Sequence, residues 1–177
     1  MSDSTVILDA EGIQRTITRI AHEIAERNLQ SFDVALVAIQ TGGVHLAARL
    51  GKLLEEIWRH PVPTGLLDVN MHRDDHVQRP NPRVHPTTIP FNIDEKVIVL
   101  VDDVLFSGRT TRAALDSLND IGRARIIQLA VLIDRGHREL PIKATFVGKN
   151  VPTSLRERVS VHWSEDGGTD RVCIEKP

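Results

Sequence analysis

Ile13, Ile17, Ile20 and Ile24 recur at helical spacing, with Arg15, Arg19, His22 and Glu26 on the opposite side. That pattern predicts an amphipathic helix over residues 10–28. The run VALVAI at 34–39 has no polar position, as in a strand buried on both faces of a parallel sheet. Thr41-Gly42-Gly43 breaks it, and Leu46, Leu50, Leu53, Leu54 and Ile57 then mark a second helix over 44–58. Residues 62–71 read as another strand. Residues 73–90 hold Pro80, Pro82, Pro86 and Pro90 among charged and amide side chains, the composition of a long functional loop. The strongest strand is 97–101, followed by a helix over 110–121 that Gly122 closes. A buried strand over 126–133 and a last central one over 144–147 come next. Residues 159–163 and 172–175 read as a terminal hairpin around Asp166-Gly167-Gly168.

Strands alternating with helices predict an α/β fold with a mainly parallel sheet and right-handed crossovers. Neither a composition shift nor a repeat divides the chain, so residues 1–177 are expected to form one domain. A length of 177 residues with 41% hydrophobic and 26% charged positions suits one sizeable core. A formal charge of −2 and a pI near 6.4 exclude nucleic-acid coating by bulk positive charge. Any nucleic-acid site must then be a local basic patch. The lone Cys173 allows no internal disulfide, and no paired Cys and His spacing marks a zinc site. The start MSDSTVILDAEG lacks a basic flank and an apolar core, and no apolar run reaches the length of a membrane span. A cytoplasmic protein with no membrane partner is the expectation.

The chemistry concentrates in VIVLVDDVLFSGRTT, residues 97–111. An apolar strand runs into Asp102-Asp103, then into a short loop with Ser107-Gly108-Arg109-Thr110, then into a helix. In open α/β sheets ligands sit beyond the carboxyl ends of strands, and a helix start offers unpaired N–H groups to a phosphate. Gly108 permits close backbone approach, and Ser107 and Thr110 add hydroxyl donors. The acids repel that same phosphate, but they suit a vicinal diol with a magnesium ion nearby. The plainer alternative makes Asp-Asp a loop cap and Ser-Gly-Arg-Thr an ordinary helix start. Two adjacent carboxylates after an apolar strand are costly without a ligand, which weighs against it. Rival nucleotide motifs are missing: Leu46 stands where a P-loop ending at Gly51-Lys52 needs glycine, and no G-x-G-x-x-G follows a strand.

Residues 97–111 resemble the signature of the type I phosphoribosyltransferases. The resemblance extends over nearly the whole chain to the PyrR family, whose members combine RNA-binding attenuation of pyrimidine operons with uracil phosphoribosyltransferase activity. It is carried further by RTITRIAHEIAERN (15–28), LDVNMHRDD (67–75), RAALDSL (112–118) and LIDRGHRELPIKATFVGKNVPTS (132–154). It implies a central twisted sheet flanked by helices, a small hood and a flexible active-site loop at about 73–90. Asp102 and Asp103 match the acids that bind the ribose diol. Val104, Leu105, Phe106, Ser107, Gly108, Arg109 and Thr110 match the segment that holds the 5′-phosphate of phosphoribosyl pyrophosphate (PRPP). Thr41 and Gly42 match its pyrophosphate loop, where many members carry Arg at the position of Gly42; an arginine there is expected to tighten PRPP binding. Arg73 matches a catalytic position at the loop's start, and Arg135 and Val159 match base-contacting positions.

The family's partners are PRPP, uracil, UMP and the pyrimidine operon leader RNA. Its cofactor is Mg2+, held mainly by PRPP, with no ligand set supplied by the protein alone. Thr18, Arg19, His22, Arg27, His137, Arg138, Lys143 and Lys149 match positions of the RNA surface, and a homo-oligomer, dimeric or larger, is implied. From periodicity alone the same helix face is an ordinary solvated one. Two other readings stay open: transfer to another base, such as a purine, and a regulator with little catalytic activity.

Overall fold

In the computed structural model, which describes residues 4–74 and 84–177, the elements alternate along the chain. They are β1 (Ser4–Leu8), α1 (Ala10–Arg27), β2 (Val34–Ile39), α2 (Val44–Trp58), β3 (Thr64–Leu67), β4 (Val97–Leu105), α3 (Arg109–Ile121), β5 (Ile126–Asp134), β6 (Phe146–Asn150), β7 (Arg158–His162) and β8 (Arg171–Glu175). Asp9 starts α1 as an N-cap, its carboxylate accepting from Gly12 N at 2.8 Å. The α/β expectation is met: five strands form a parallel sheet in the order β3-β2-β4-β5-β6.

Strand alternation divides the core between the two faces of this sheet. Val34, Leu36, Ala38, Val97, Val99 and Val101 face α1 and α2, where the isoleucine stripe of α1 is wholly buried. Ala35, Val37, Ile39, Ile98 and Leu100 face the other way, onto Ala113, Ala114 and Leu118 of α3 and onto Ile93. Burying each large side chain contributes roughly 1.5–3 kcal/mol. The strand order has a consequence for function. β2 lies between β3 and β4, and the helices after β2 and β4 cover opposite faces. A crevice therefore opens between the carboxyl ends of these two strands, the switch point where ligands bind in open α/β sheets.

Several boundaries differ from the pattern-based expectation. The strand expected over 62–71 is confined to Thr64–Leu67, because the Asp68 carboxylate accepts from Asn70 N at 2.7 Å and turns the chain into a 3-10 helix, Asn70–His72. The strand expected to end at 101 continues to Leu105, since pairing with β5 runs on through Val104↔Ile133 and Leu105↔Asp134. The acids thus stand within the strand rather than beyond it. The last central strand is Phe146–Asn150 instead of 144–147, held by β5 past the end of the apolar run. Of the loop expected at 73–90, residues 75–83 lie outside the described residues. Its return is anchored where Leu66 and Thr88 exchange two backbone bonds of 2.8 Å and where His85 N donates to Asp68 at 2.6 Å.

The terminal hairpin is present as β7 and β8, and β1 completes it into a second, antiparallel sheet in the order β1-β8-β7. This small hood is clamped to α2 by Arg49. Its guanidinium binds Glu165 at 2.6 Å and Asp170 at 2.5 Å, and lies 4.8 Å from the centre of the Trp163 ring. The pairing raises the Arg49 pKa, and the guanidinium holds Glu165 and Asp170 down at about 2. A depressed folded-state pKa gives stability that is present above the ordinary carboxylate range and lost on acidification through the folded value. Unfolding of the hood is therefore expected to set in between about pH 4 and pH 2. In Arg49→Ala the hood should be weaker already at neutral pH and this acid-induced loss much smaller, with the Trp163 fluorescence change preceding global unfolding, which a pH titration read by tryptophan emission beside far-UV circular dichroism checks.

Candidate active site

Two turns and one strand end meet at the switch point. The first turn follows β2, where Gly43 N donates to Ile39 O at 2.9 Å and the Gln40–Thr41 peptide is cis. It is pressed against β4. A Cβ on Gly43 would lie 2.0 Å from Val101 O, so only glycine fits. A Cβ on Gly42 would lie 2.4 Å from the Asp103 carboxylate. The expected benefit of an arginine at Gly42 presumes an unchanged loop, and this contact removes the presumption: a side chain there must first displace Asp103.

Asp102 and Asp103 occupy the end of β4. Asp103 N donates to Asp102 Oδ1 at 2.9 Å, and Val104 N donates to Asp103 Oδ1 at 2.7 Å. Burial raises both carboxyls, and for Asp102, held well above the usual carboxylate range, the neighbouring Asp103 charge adds to the effect. Arg73 counters only in part. Its guanidinium donates to Thr110 Oγ1 at 2.6 Å from the start of the loop, while Asp74 beside it pairs with Arg109 at 2.7 Å and Arg112 at 2.8 Å.

The second turn joins β4 to α3. Gly108 sits at φ 91°, a left-handed conformation suited to glycine, and it is the N-cap of α3. The N–H groups of Phe106, Ser107 and Gly108 meet no protein acceptor among the described residues. With the start of α3 they form a concave array of donors fit for an anion.

These parts line one cavity of about 860 Å³. It brings together Thr41, Gly42, Arg73, the acid pair, 104–110 and Arg135. Arg135 is buried, its guanidinium 4.1 Å from the centre of the Phe106 ring and bonded to Ser154 O and Glu157 O. Val159 lies in the core and does not line the cavity, whereas its neighbour Arg158 does. Gln40, the first residue of the turn after β2, lines it too, as do Asp74, Glu139 and Arg158, which the sequence did not single out. Asp74 and Arg158 each adjoin a residue that it did, and Glu139 carried no signal of its own.

The candidate RNA residues are less unified. Thr18, His22 and Arg27 are at least partly exposed on α1, and Lys149 is exposed on β6, against which α1 packs. Arg19 is exposed on α1, pairs with Glu23 at 2.6 Å, and its guanidinium donates to Val147 O and Gly148 O. His137 and Arg138 stand beside the turn before α3, His137 bonded to Thr153 O and Arg138 to Phe106 O. Lys143 is exposed.

Among the described residues no three His, Cys, Asp or Glu side chains come together as a metal cage. Two adjacent carboxylates do suit a cation that arrives already ligated by a diphosphate. Also among the described residues, no helix is long and apolar enough to cross a membrane.

Comparison with known proteins agrees with this geometry. The family model described as phosphoribosyl transferase domain matches residues 3–164. The bifunctional protein PyrR of Roseiflexus sp. (strain RS-1) is 61% identical over 170 residues, covering 95% of this chain and 93% of the relative. That of Bacillus pumilus is 50% identical over 177 residues, covering 98% of each. In fold, the chain is similar to the crystal structure of the hypoxanthine phosphoribosyltransferase of Trypanosoma cruzi, with TM-score 0.74, 16% identity and coverage of 98% and 97%. The chain belongs to the phosphoribosyltransferase family and, within it, to the PyrR proteins.

Proposed function

We propose that this chain transfers the phosphoribosyl group of PRPP to N1 of uracil, giving UMP and pyrophosphate, and that it regulates pyrimidine operon transcription by UMP-responsive RNA binding. One observation carries the enzymatic reading. The turn after β2, the acid pair and the anion-binding turn before α3 line a single cavity, which accommodates a diphosphate, a ribose diol and a 5′-phosphate together.

In this reading the turn at Gln40–Gly43 receives the pyrophosphate, and Phe106–Thr110 receives the 5′-phosphate. Asp102 and Asp103 accept from the ribose hydroxyls. The C1–oxygen bond to pyrophosphate breaks, the bond from N1 of uracil to C1 forms, and the N1 proton leaves. As positive charge develops on the sugar, the ionised acid pair stabilises it, while Arg73, bonded to Thr110, stands beside the 5′-phosphate segment. Mg2+ bound by the diphosphate would neutralise the leaving group, and Asp102 and Asp103 would face it through the ribose hydroxyls or water. Arg135, on the Phe106 ring, borders the space left for the base. His45 does not line the cavity and is therefore unsuited as the general base.

The test is UMP formation from uracil and PRPP with Mg2+, with hypoxanthine as competitor. Turnover of uracil unaffected by excess hypoxanthine is expected; formation of IMP in its place would overturn the pyrimidine assignment. In the same assay Asp102→Asn combined with Asp103→Asn should lower kcat/KM by roughly a thousand-fold or more. Asp102→Asn alone should raise the thermal stability of the ligand-free protein. Its folded-state pKa is raised, so the parent loses stability as pH climbs from the ordinary carboxylate range to the folded value. The gain in Tm should be small near pH 4 and grow with pH. A variant less stable than the parent at pH 8 would contradict the burial argument.

One observation bears on the RNA reading: α1, which carries the exposed His22, packs along the edge strand β6, which carries the exposed Lys149. Replacing both with Ala should weaken binding of a pyrimidine-leader stem-loop and make its salt dependence shallower, leaving UMP formation unchanged. Arg19→Ala should in addition lower Tm, because Arg19 joins α1 to β6. A parent chain that binds leader and scrambled stem-loops equally at moderate salt would remove the regulatory reading.

A further inference from the structure

We infer that Arg158, the first residue of β7, is a catalytic residue at the base-binding end of the cavity, where its guanidinium stabilises the anion that uracil becomes when N1 loses its proton. The inference rests on the phosphoribosyl reading of the cavity. In that reading the N1 proton has to leave, and among the described residues the cavity offers no general base for it. Its carboxylates are Asp102 and Asp103, which face the ribose, and Asp74 and Glu139, which pair with Arg109 at 2.7 Å and 2.6 Å. No histidine described lines it.

Four arginines line the cavity, and three are engaged. Arg73 donates to Thr110, Arg109 is paired with Asp74 and Glu139, and Arg135 donates to Thr153 Oγ1, Ser154 O and Glu157 O while lying on the Phe106 ring. The Arg158 side chain has no hydrogen bond or ion pair among the described residues. Its cross-strand neighbour Glu175 accepts from Ser160 Oγ at 2.6 Å, and Glu157 beside it accepts from Ser154 N at 2.7 Å. Val159 turns into the core, so strand alternation directs Arg158 the other way, to the cavity. The carbonyl of Glu157 is held by Arg135 Nη2 at 2.8 Å, which fixes the start of β7 to the wall that borders the space for the base.

The chemistry gives that uncommitted charge a task. The N1–H bond of uracil breaks, the proton passes to water, and the electron pair left on N1 spreads onto O2 and O4. The same pair then forms the bond to C1 as the C1–oxygen pair departs with pyrophosphate. A guanidinium beside the ring offers N–H donors to the keto oxygens and favours the charged form of the base. At an exposed site this should lower the N1 pKa by about one unit, so that roughly ten times more of the bound base is the nucleophilic anion. Specific-base chemistry assisted by a cation thus takes the place of a protein general base.

The test compares uracil with 5-fluorouracil, whose N1 proton is more acidic. With PRPP and Mg2+ saturating, kcat/KM for each base is measured for the parent, Arg158→Gln and Arg158→Lys, with folding checked by circular dichroism. Arg158→Gln should lose about ten-fold with uracil and clearly less with 5-fluorouracil. Its loss with uracil should shrink as the pH is raised, because the anion then forms unaided, and Arg158→Lys, which keeps the charge, should recover most of the parent's rate. Affinity for UMP, whose N1 is already bonded to the sugar, should fall less than kcat/KM. If Arg158→Gln does not fold, Arg158→Met, which keeps much of the apolar stem, stands in for it. A folded neutral variant that matches the parent, or that loses as much with 5-fluorouracil as with uracil, overturns the inference. A parent that forms nucleotide from neither base refutes the reading of the cavity, a result distinct from failure at Arg158.

Discussion

Two neighbouring carboxyls, Asp102 and Asp103, are carried into the protein interior at the end of an apolar strand, and much of the surrounding architecture follows from that placement. Burial raises both, and the proximity of one charge to the other raises Asp102 further. Only two backbone N–H groups, from Asp103 and Val104, compensate them within the strand. The site is therefore poised to gain from hydroxyl donors and a cation that a ligand supplies. The glycine turn after β2 is shaped by the same constraint, since Gly42 leaves the space that the Asp103 carboxylate fills.

Around this centre the chain builds rigidity from behind. The carbonyls of the turn before α3 are held by the segment after β5, so its N–H groups face the cavity without protein acceptors among the described residues. Arg49 fastens the hood to α2, the helix that begins where the turn after β2 ends. Two turns that line the cavity are thus braced by contacts behind them. Such support matters because a transferase of this type gains most of its rate from positioning and preorganised charge.

How much of this was legible in the sequence depends on whether the cause was local. The isoleucine stripe of α1, the unbroken VALVAI of β2 and the glycine pair after it follow from periodicity and turn chemistry, and the acid pair with its phosphate turn stood out as one motif. β1 did not, because the exposed STVIL segment becomes a strand only by pairing with β8 from the far end of the chain. The early end of β3 was hidden for a similar reason: Asp68 turns the chain and also grips His85 across the loop. Charge patterns do not reveal where side chains fold back. Arg19 and Arg138 read in the sequence only as cations, and in the fold both also donate to backbone carbonyls of neighbouring elements. Arg158, which lines the cavity next to the core residue Val159, shows how strand alternation reassigns a role by one position.

The central claim is that burial and mutual proximity raise the proton affinity of the acid pair in the free protein, and that the ribose diol and cation lower it on binding. Proton exchange on binding measures this directly. Calorimetry of ribose 5-phosphate binding with Mg2+, in buffers of different ionisation enthalpy at a pH where the phosphate is already fully ionised, should report proton release by the parent. Asp102→Asn should abolish that release while the folded structure persists. Binding by the parent with no net proton exchange, or with uptake, would contradict the account.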